Sequence, residues 1–146
     1  MDDLIENARR WERDFAHGDL QILPARRLAV LACMDARLPV FQVLGLEPGD
    51  AHVIRNAGGL ATPDAVRSLG VSQGIGTQDV IVVHHTDCGV CKMTDEQLAE
   101  LGATRDVAEN VRITLDRIRA ELPQTGELRG FVYEVERGRL RPVGSA

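Results

Sequence analysis

Short, unbroken apolar runs alternate along this chain with stretches of helical periodicity, and that alternation constrains the fold more than any other feature. Leu28-Ala29-Val30-Leu31-Ala32 runs into Cys33 without a polar residue, and Asp79 to His85 carries Val80, Ile81, Val82 and Val83 in succession. Runs this short that are apolar on both alternating faces fit strands buried from two sides. A further strand, Ala51 to Asn56, stops at Ala57-Gly58-Gly59. Between the strands the periodicity predicts a short helix over 39–45 followed by turn chemistry at Glu47-Pro48-Gly49-Asp50. A longer helix starts with Thr62 as cap and Pro63 as first helical residue, and Gly70, Gly74 and Gly76 weaken its last turns. Thr94 to Leu101 has a capping-box pattern, and a helix from Asp106 to Leu122 turns Val107, Val111, Leu115 and Ile118 inward until Pro123 ends it. Gly130 to Glu136 and Arg139 to Val143 read as a final strand and its hairpin return, and residues 3–17 as an amphipathic first helix ending near Gly18. The expectation is an α/β fold, one domain over 1–146. Its central sheet is mostly parallel with order 2-1-3-4 and a C-terminal antiparallel edge strand, and helices flank it.

Several function classes fall away. No window approaches eighteen uncharged apolar residues, so no membrane span is expected. With 17 basic against 22 acidic residues and a net charge of −5, neither a basic footprint nor a stacking platform for nucleic acid is visible. Met1-Asp2-Asp3 opens no basic, apolar, small-residue leader pattern. Three cysteines cannot all pair internally, which fits a reducing compartment, and the chain reads as cytoplasmic.

The chemistry gathers at strand ends. Cys33 closes the first strand, and His85 and Cys88 close the third; in a parallel sheet these ends share one edge. With order 2-1-3 the chain reverses between first and third strands, the switch point where open α/β sheets bind ligands. Two thiolates and an imidazole make a three-ligand Zn²⁺ set with the fourth tetrahedral position open, the mark of a catalytic metal. Asp35 and Arg37 follow Cys33 by two and four residues and place a carboxylate and a guanidinium at the same edge. A rival reading takes Cys88 and Cys91 as a C-x-x-C redox pair, but it leaves Cys33, His85, Asp35 and Arg37 without a role. Another is a zinc-binding protein without turnover. Strand alternation turns His84 away from the site as a packed histidine, while His17 and His52 receive no role. Arg55 is expected at an interface or in a structural contact.

In these blocks the chain resembles the β-class carbonic anhydrases. Cys33-Met34-Asp35-Ala36-Arg37 stands as their C-x-D-x-R, His85-Thr86-Asp87-Cys88-Gly89 as their H-x-x-C-G, and Arg55-Asn56-Ala57-Gly58 as their R-N-A-G segment. The likeness is close over about residues 27–92 and looser elsewhere, with a short 92–123 stretch that marks a minimal-length member. It implies reversible hydration of carbon dioxide to bicarbonate and a proton. Zinc would acidify a water, Asp35 would orient the resulting hydroxide, and Arg37 would hold Asp35 ionised and aimed. Gly58, Gly59 and Gly89 are expected around the substrate pocket. In some members the equivalent carboxylate takes the fourth zinc position instead, and similar sites elsewhere in the family hydrolyse carbonyl sulfide or carbon disulfide. A homodimer or higher homo-oligomer is expected too, with the 1–20 helix lying across a neighbour, because a chain this short has little to spare for enclosing a pocket.

Overall fold

The computed structural model describes residues 1–144; of the expected 1–146 domain, Ser145 and Ala146 lie outside the described residues. In chain order the elements are α1 (Asp2–Arg13), β1 (Leu28–Cys33), α2 (Val40–Leu44), β2 (Ala51–Asn56), α3 (Pro63–Ile75), β3 (Asp79–His85), α4 (Asp95–Leu101), α5 (Val107–Glu121), β4 (Leu128–Glu134) and β5 (Arg139–Val143). They build one five-stranded sheet of order β2-β1-β3-β4-β5, parallel except for the β4–β5 hairpin, as the alternation predicts. β1 pairs with β2 from Leu28↔Ala51 to Cys33↔Asn56, and with β3 from Leu28↔Asp79 to Ala32↔Val83. The reversal between β1 and β3 is therefore real.

Both sheet faces are covered. Leu31, Val80, Val82 and Val132 pack under α3 and α5 with Leu69, Val111, Leu115 and Ile118. Val30, Ala32 and Val83 pack on the opposite face with Leu38, Val40 and Leu98. Burying such a side chain fully contributes roughly 1.5–3 kcal/mol, more than any exposed ion pair on the surface. The sheet is thus the rigid frame, and its strand ends inherit that rigidity.

The caps at Thr62 and Thr94 match expectation, and Asp106, expected as the start of its helix, is instead the cap. Thr62 Oγ1 accepts from the Ala65 amide, Thr94 and Gln97 close a capping box, and Asp106 accepts from the amides of Ala108 and Glu109. α3 runs on to Ile75 despite Gly70 and Gly74, because Ala65, Val66, Leu69 and Ser72 bury one face against the sheet and tertiary packing outweighs propensity. Two elements shift. The first helix ends at Arg13, not 17: the Asp14 amide bonds the Trp11 carbonyl, and the chain turns back so that His17 stacks on Trp11 at 5.9 Å. β4 begins at Leu128, where pairing with Val80 starts, and ends at Glu134, whose carbonyl accepts from Arg137 and Gly138 in the hairpin turn.

Candidate metal centre

Cys33, His85 and Cys88 meet where β1 and β3 end. Pairing up to Ala32↔Val83 sets the two strand ends side by side. His85 shares the sheet face of Val83, and His84 points the other way. The three ligand atoms all lie within 4.8 Å of one another, and all three residues are buried. Cys33 Sγ stands 3.9 Å from Cys88 Sγ and 3.2 Å from His85 Nε2. Bonds of about 2.3 Å to sulfur and 2.0 Å to imidazole at tetrahedral angles would space such atoms by roughly 3.5–3.8 Å. The donor set and its spacing therefore fit zinc. His85 Nδ1–H donates to the Thr86 carbonyl at 2.8 Å, which fixes the tautomer and leaves the Nε2 lone pair facing the sulfurs.

The protons respond to this crowding. A hydrogen bond from Cys88 pulls the Cys33 thiol down to about 4; burial opposes the shift, and His85 and the Asp35 backbone assist it. Cys88, the partner that keeps its proton, is pushed up by that same contact and by burial. Burial alone would lower His85, but the hydrogen bond and charge of Cys33 outweigh it and raise the imidazole. A cation here would take the place of the proton that Cys88 keeps.

Beside this set lies a carboxylate–guanidinium pair. Arg37 Nε and Nη2 donate to Asp35 Oδ1 and Oδ2 at 3.0 and 2.9 Å, and the Arg37 amide donates to Oδ1 at 2.8 Å. The Arg37 side chain and amide together hold the Asp35 carboxyl far below the usual carboxylate range. Asp35 Oδ2 lies 3.7 Å from His85 Nε2, at the rim of the three-ligand set, with both oxygens engaged by Arg37.

Other residues fall into supporting places. Arg55 braces the loop after β1. Its Nε and Nη2 donate to the Cys33 carbonyl at 3.0 and 2.8 Å, and Nη2 also reaches the carbonyls of Asp35 and Leu38 at 2.7 and 3.1 Å. His84 donates from Nε2 to the Gly59 carbonyl at 2.9 Å, and burial pulls its pKa down to about 4, so it is a neutral packed histidine. His52 bonds Ser72, away from the site. Cys91 is half-buried with its thiol pushed up by burial, and it lies outside the three-ligand group. Gly58 and Gly59 are buried at positive φ; Gly58 packs near Val90, and Gly59 lies directly on the Cys33 amide. Gly89 is exposed beside Cys88, with open space where a Cβ would point.

Asp87 is the residue that the sequence reading passed over. Its carboxylate accepts from Arg37 Nη1 at 2.9 Å, its carbonyl accepts from Arg37 Nη2 at 3.1 Å, and Lys92 pairs with its other oxygen. Lys92 first and then Arg37 hold its carboxyl down to about 2.

A carbonic anhydrase family model matches residues 28–137. The chain is 40% identical to β-carbonic anhydrase 1 of Mycobacterium tuberculosis over 158 aligned positions, covering 97% of this chain and 96% of that one. The chain belongs to the β-carbonic anhydrase family. Within that family its short length is shared with the mycobacterial relative, and the likeness reaches well past residue 92. A crystal structure of carbonic anhydrase from Streptococcus mutans superimposes with a TM-score of 0.85 at 36% identity, over 98% of this chain and 96% of that one. A carbon disulfide hydrolase from Acidianus is 32% identical over 97% of this chain and 89% of its own.

Proposed function

We propose that this β-carbonic anhydrase catalyses the reversible hydration of carbon dioxide to bicarbonate and a proton, with zinc held by Cys33, His85 and Cys88. One observation carries the reading: an Asp35 carboxylate, pinned on both oxygens by Arg37, stands at the rim of a buried Cys–His–Cys set. When bound, the metal would supply Lewis acidity that lowers the pKa of water toward neutrality.

The rest of the work falls to the chain. Cys33 and Cys88 lend negative charge to the set, and His85 stays in the Nε2-facing tautomer through its bond to the Thr86 carbonyl. Two thiolates would offset the charge of a divalent cation held here, which makes a neighbouring hydrogen-bond acceptor more important than it would be among neutral imidazoles. Asp35 is that acceptor. Kept ionised by Arg37, it takes a hydrogen bond from the attacking oxygen and directs that oxygen's lone pair at the carbon of CO₂. Arg55 keeps the Cys33–Leu38 loop, and with it both Cys33 and Asp35, in place. Gly58, Gly59 and Gly89 flank the approach to the site on this reading.

Association belongs to the same proposal. α1 buries none of its residues, and Leu4, Ile5, Trp11, Phe15 and Ile22 are all exposed. A second copy of the chain, as a homodimer, would cover this face and enclose the open side of the site. Three free thiols fit a reducing, cytoplasmic setting. No helix among the described residues is long and apolar enough to cross a membrane.

The similarity to carbon disulfide hydrolases supports a second reading, in which the same residues hydrolyse carbon disulfide or carbonyl sulfide. The discriminating experiment runs stopped-flow CO₂ hydration beside hydrogen sulfide release from both sulfur substrates, using one preparation of zinc-loaded protein. Fast hydration with slow sulfide release is expected; the reverse ranking would replace the first reading with the second.

A further inference from the structure

We propose that Asp87 is a positioning residue for the reaction: it grips the far side of the Arg37 guanidinium and thereby fixes the orientation in which Arg37 presents Asp35 to the metal set. The inference rests on the functional reading above and adds to it a residue from the second ligand loop.

The hydrogen-bond inventory of Arg37 carries the argument. A guanidinium has five N–H donors in a rigid plane. On one edge Nε and Nη2 meet the two oxygens of Asp35; on the other, Nη1 meets Asp87 Oδ2 and the second Nη2 hydrogen meets the Asp87 carbonyl. Four of the five donors are thus spent on two aspartates, one following Cys33 and one lying between His85 and Cys88. A single bidentate pair at an exposed site leaves a long side chain free to swing, and such a pair holds weakly on its own. A guanidinium held on both edges has no such freedom, so the plane that aims Asp35 is set by both ligand loops together.

The backbone at residue 87 serves the same end. Asp87 has φ +54°, a left-handed conformation that costs most residues and that aspartate tolerates comparatively well. Carbonyl and carboxylate of one residue both reach one guanidinium from this conformation. Lys92 holds the remaining carboxylate oxygen, so Asp87 is itself steadied from behind.

The left-handed backbone also makes the test clean. Asp87→Gly removes the carboxylate at a φ that glycine adopts freely, and Asp87→Asn retains one acceptor oxygen without the charge. On zinc-loaded protein, Asp87→Gly should keep its zinc and lose the slowly exchanging Arg37 Nε–H signal in the NMR spectrum. Its kcat for CO₂ hydration should fall roughly tenfold with KM little changed, the usual scale for a partner one step removed from a metal site. Asp87→Asn should restore most of the signal and most of the rate. In an Arg37→Ala background the glycine substitution should cost nothing further, because its effect runs through Arg37. An unchanged Arg37 signal in Asp87→Gly, loss of zinc from it, or the same tenfold drop in the Arg37→Ala background would each overturn the proposal. If wild-type protein with full zinc hydrates no CO₂, the functional reading fails separately, and the Arg37 signal alone decides whether Asp87 positions it.

Discussion

At the level of single residues, holding the metal and using it would fall to different side chains. Cys33, His85 and Cys88 would form the ligand set, whereas Asp35 and Arg37 bond each other beside it. Asp35→Ala and Arg37→Ala should therefore keep most of their zinc, measured by atomic emission, while CO₂ hydration falls by roughly 10² or more, the usual scale for losing an acid–base or orienting partner. Wild-type turnover in either variant would contradict the role given to the pair. These five residues were legible in the sequence because each sits at or within four residues of a strand end, and two strand ends are easily recognised. Asp87 was not, because its meaning lies in contact with a guanidinium fifty positions away and in a left-handed φ that H-x-x-C spacing does not reveal. Arg55 was legible only as an interface or structural residue; its grip on three carbonyls of the Cys33–Leu38 loop needed the β1–β2 register to appear.

At the scale of elements, the site depends on how closely the turn after β2 presses on the end of β1. Gly59 has φ +70°, and a Cβ there would stand 2.8 Å from the Cys33 amide nitrogen and 2.9 Å from His84 Cδ2. Neither neighbour is a flexible side-chain tip: one is backbone, and the other is a buried ring bonded to the Gly59 carbonyl. Gly59→Ala should cost about 2 kcal/mol or more in urea unfolding, from strain and overlap combined, and should weaken zinc retention because the displaced atoms belong to Cys33. Stability and zinc affinity equal to wild type would show that the turn does not support the site. Strands and two of the caps were readable from local chemistry, since apolar runs, Thr62 and Thr94 act over a few residues. The end of α1 and the start of β4 were not, because Trp11–His17 stacking and Leu128–Val80 pairing set them through contacts that periodicity does not contain.

At the scale of the whole molecule, α1 stands apart from the core. A twelve-residue helix with no buried residue has little to stabilise it in an isolated chain. The exposed Leu4, Ile5 and Trp11 give it an apolar face that, on the proposed reading, a second copy would cover. Deleting residues 1–20 should convert dimer to monomer in sedimentation velocity and lower CO₂ hydration in the same preparation. A fully active monomer at micromolar concentration would contradict the shared site. Sheet order could be foreseen from strand–helix alternation, and the amphipathic 1–20 segment already pointed to a neighbour, but that α1 buries none of its residues needed the burial of every element to be known. The proposed activity requires a catalytic metal at the β1–β3 switch point. Zinc content and stopped-flow CO₂ hydration, measured together on wild type and on the Cys33→Ser, Cys88→Ser and Cys91→Ser variants, test that claim most directly. About one zinc per chain with rapid hydration is expected for wild type and Cys91→Ser, and loss of both for Cys33→Ser and Cys88→Ser. Full zinc retention in the Cys33 and Cys88 variants, or zinc loss confined to Cys91→Ser, would contradict it.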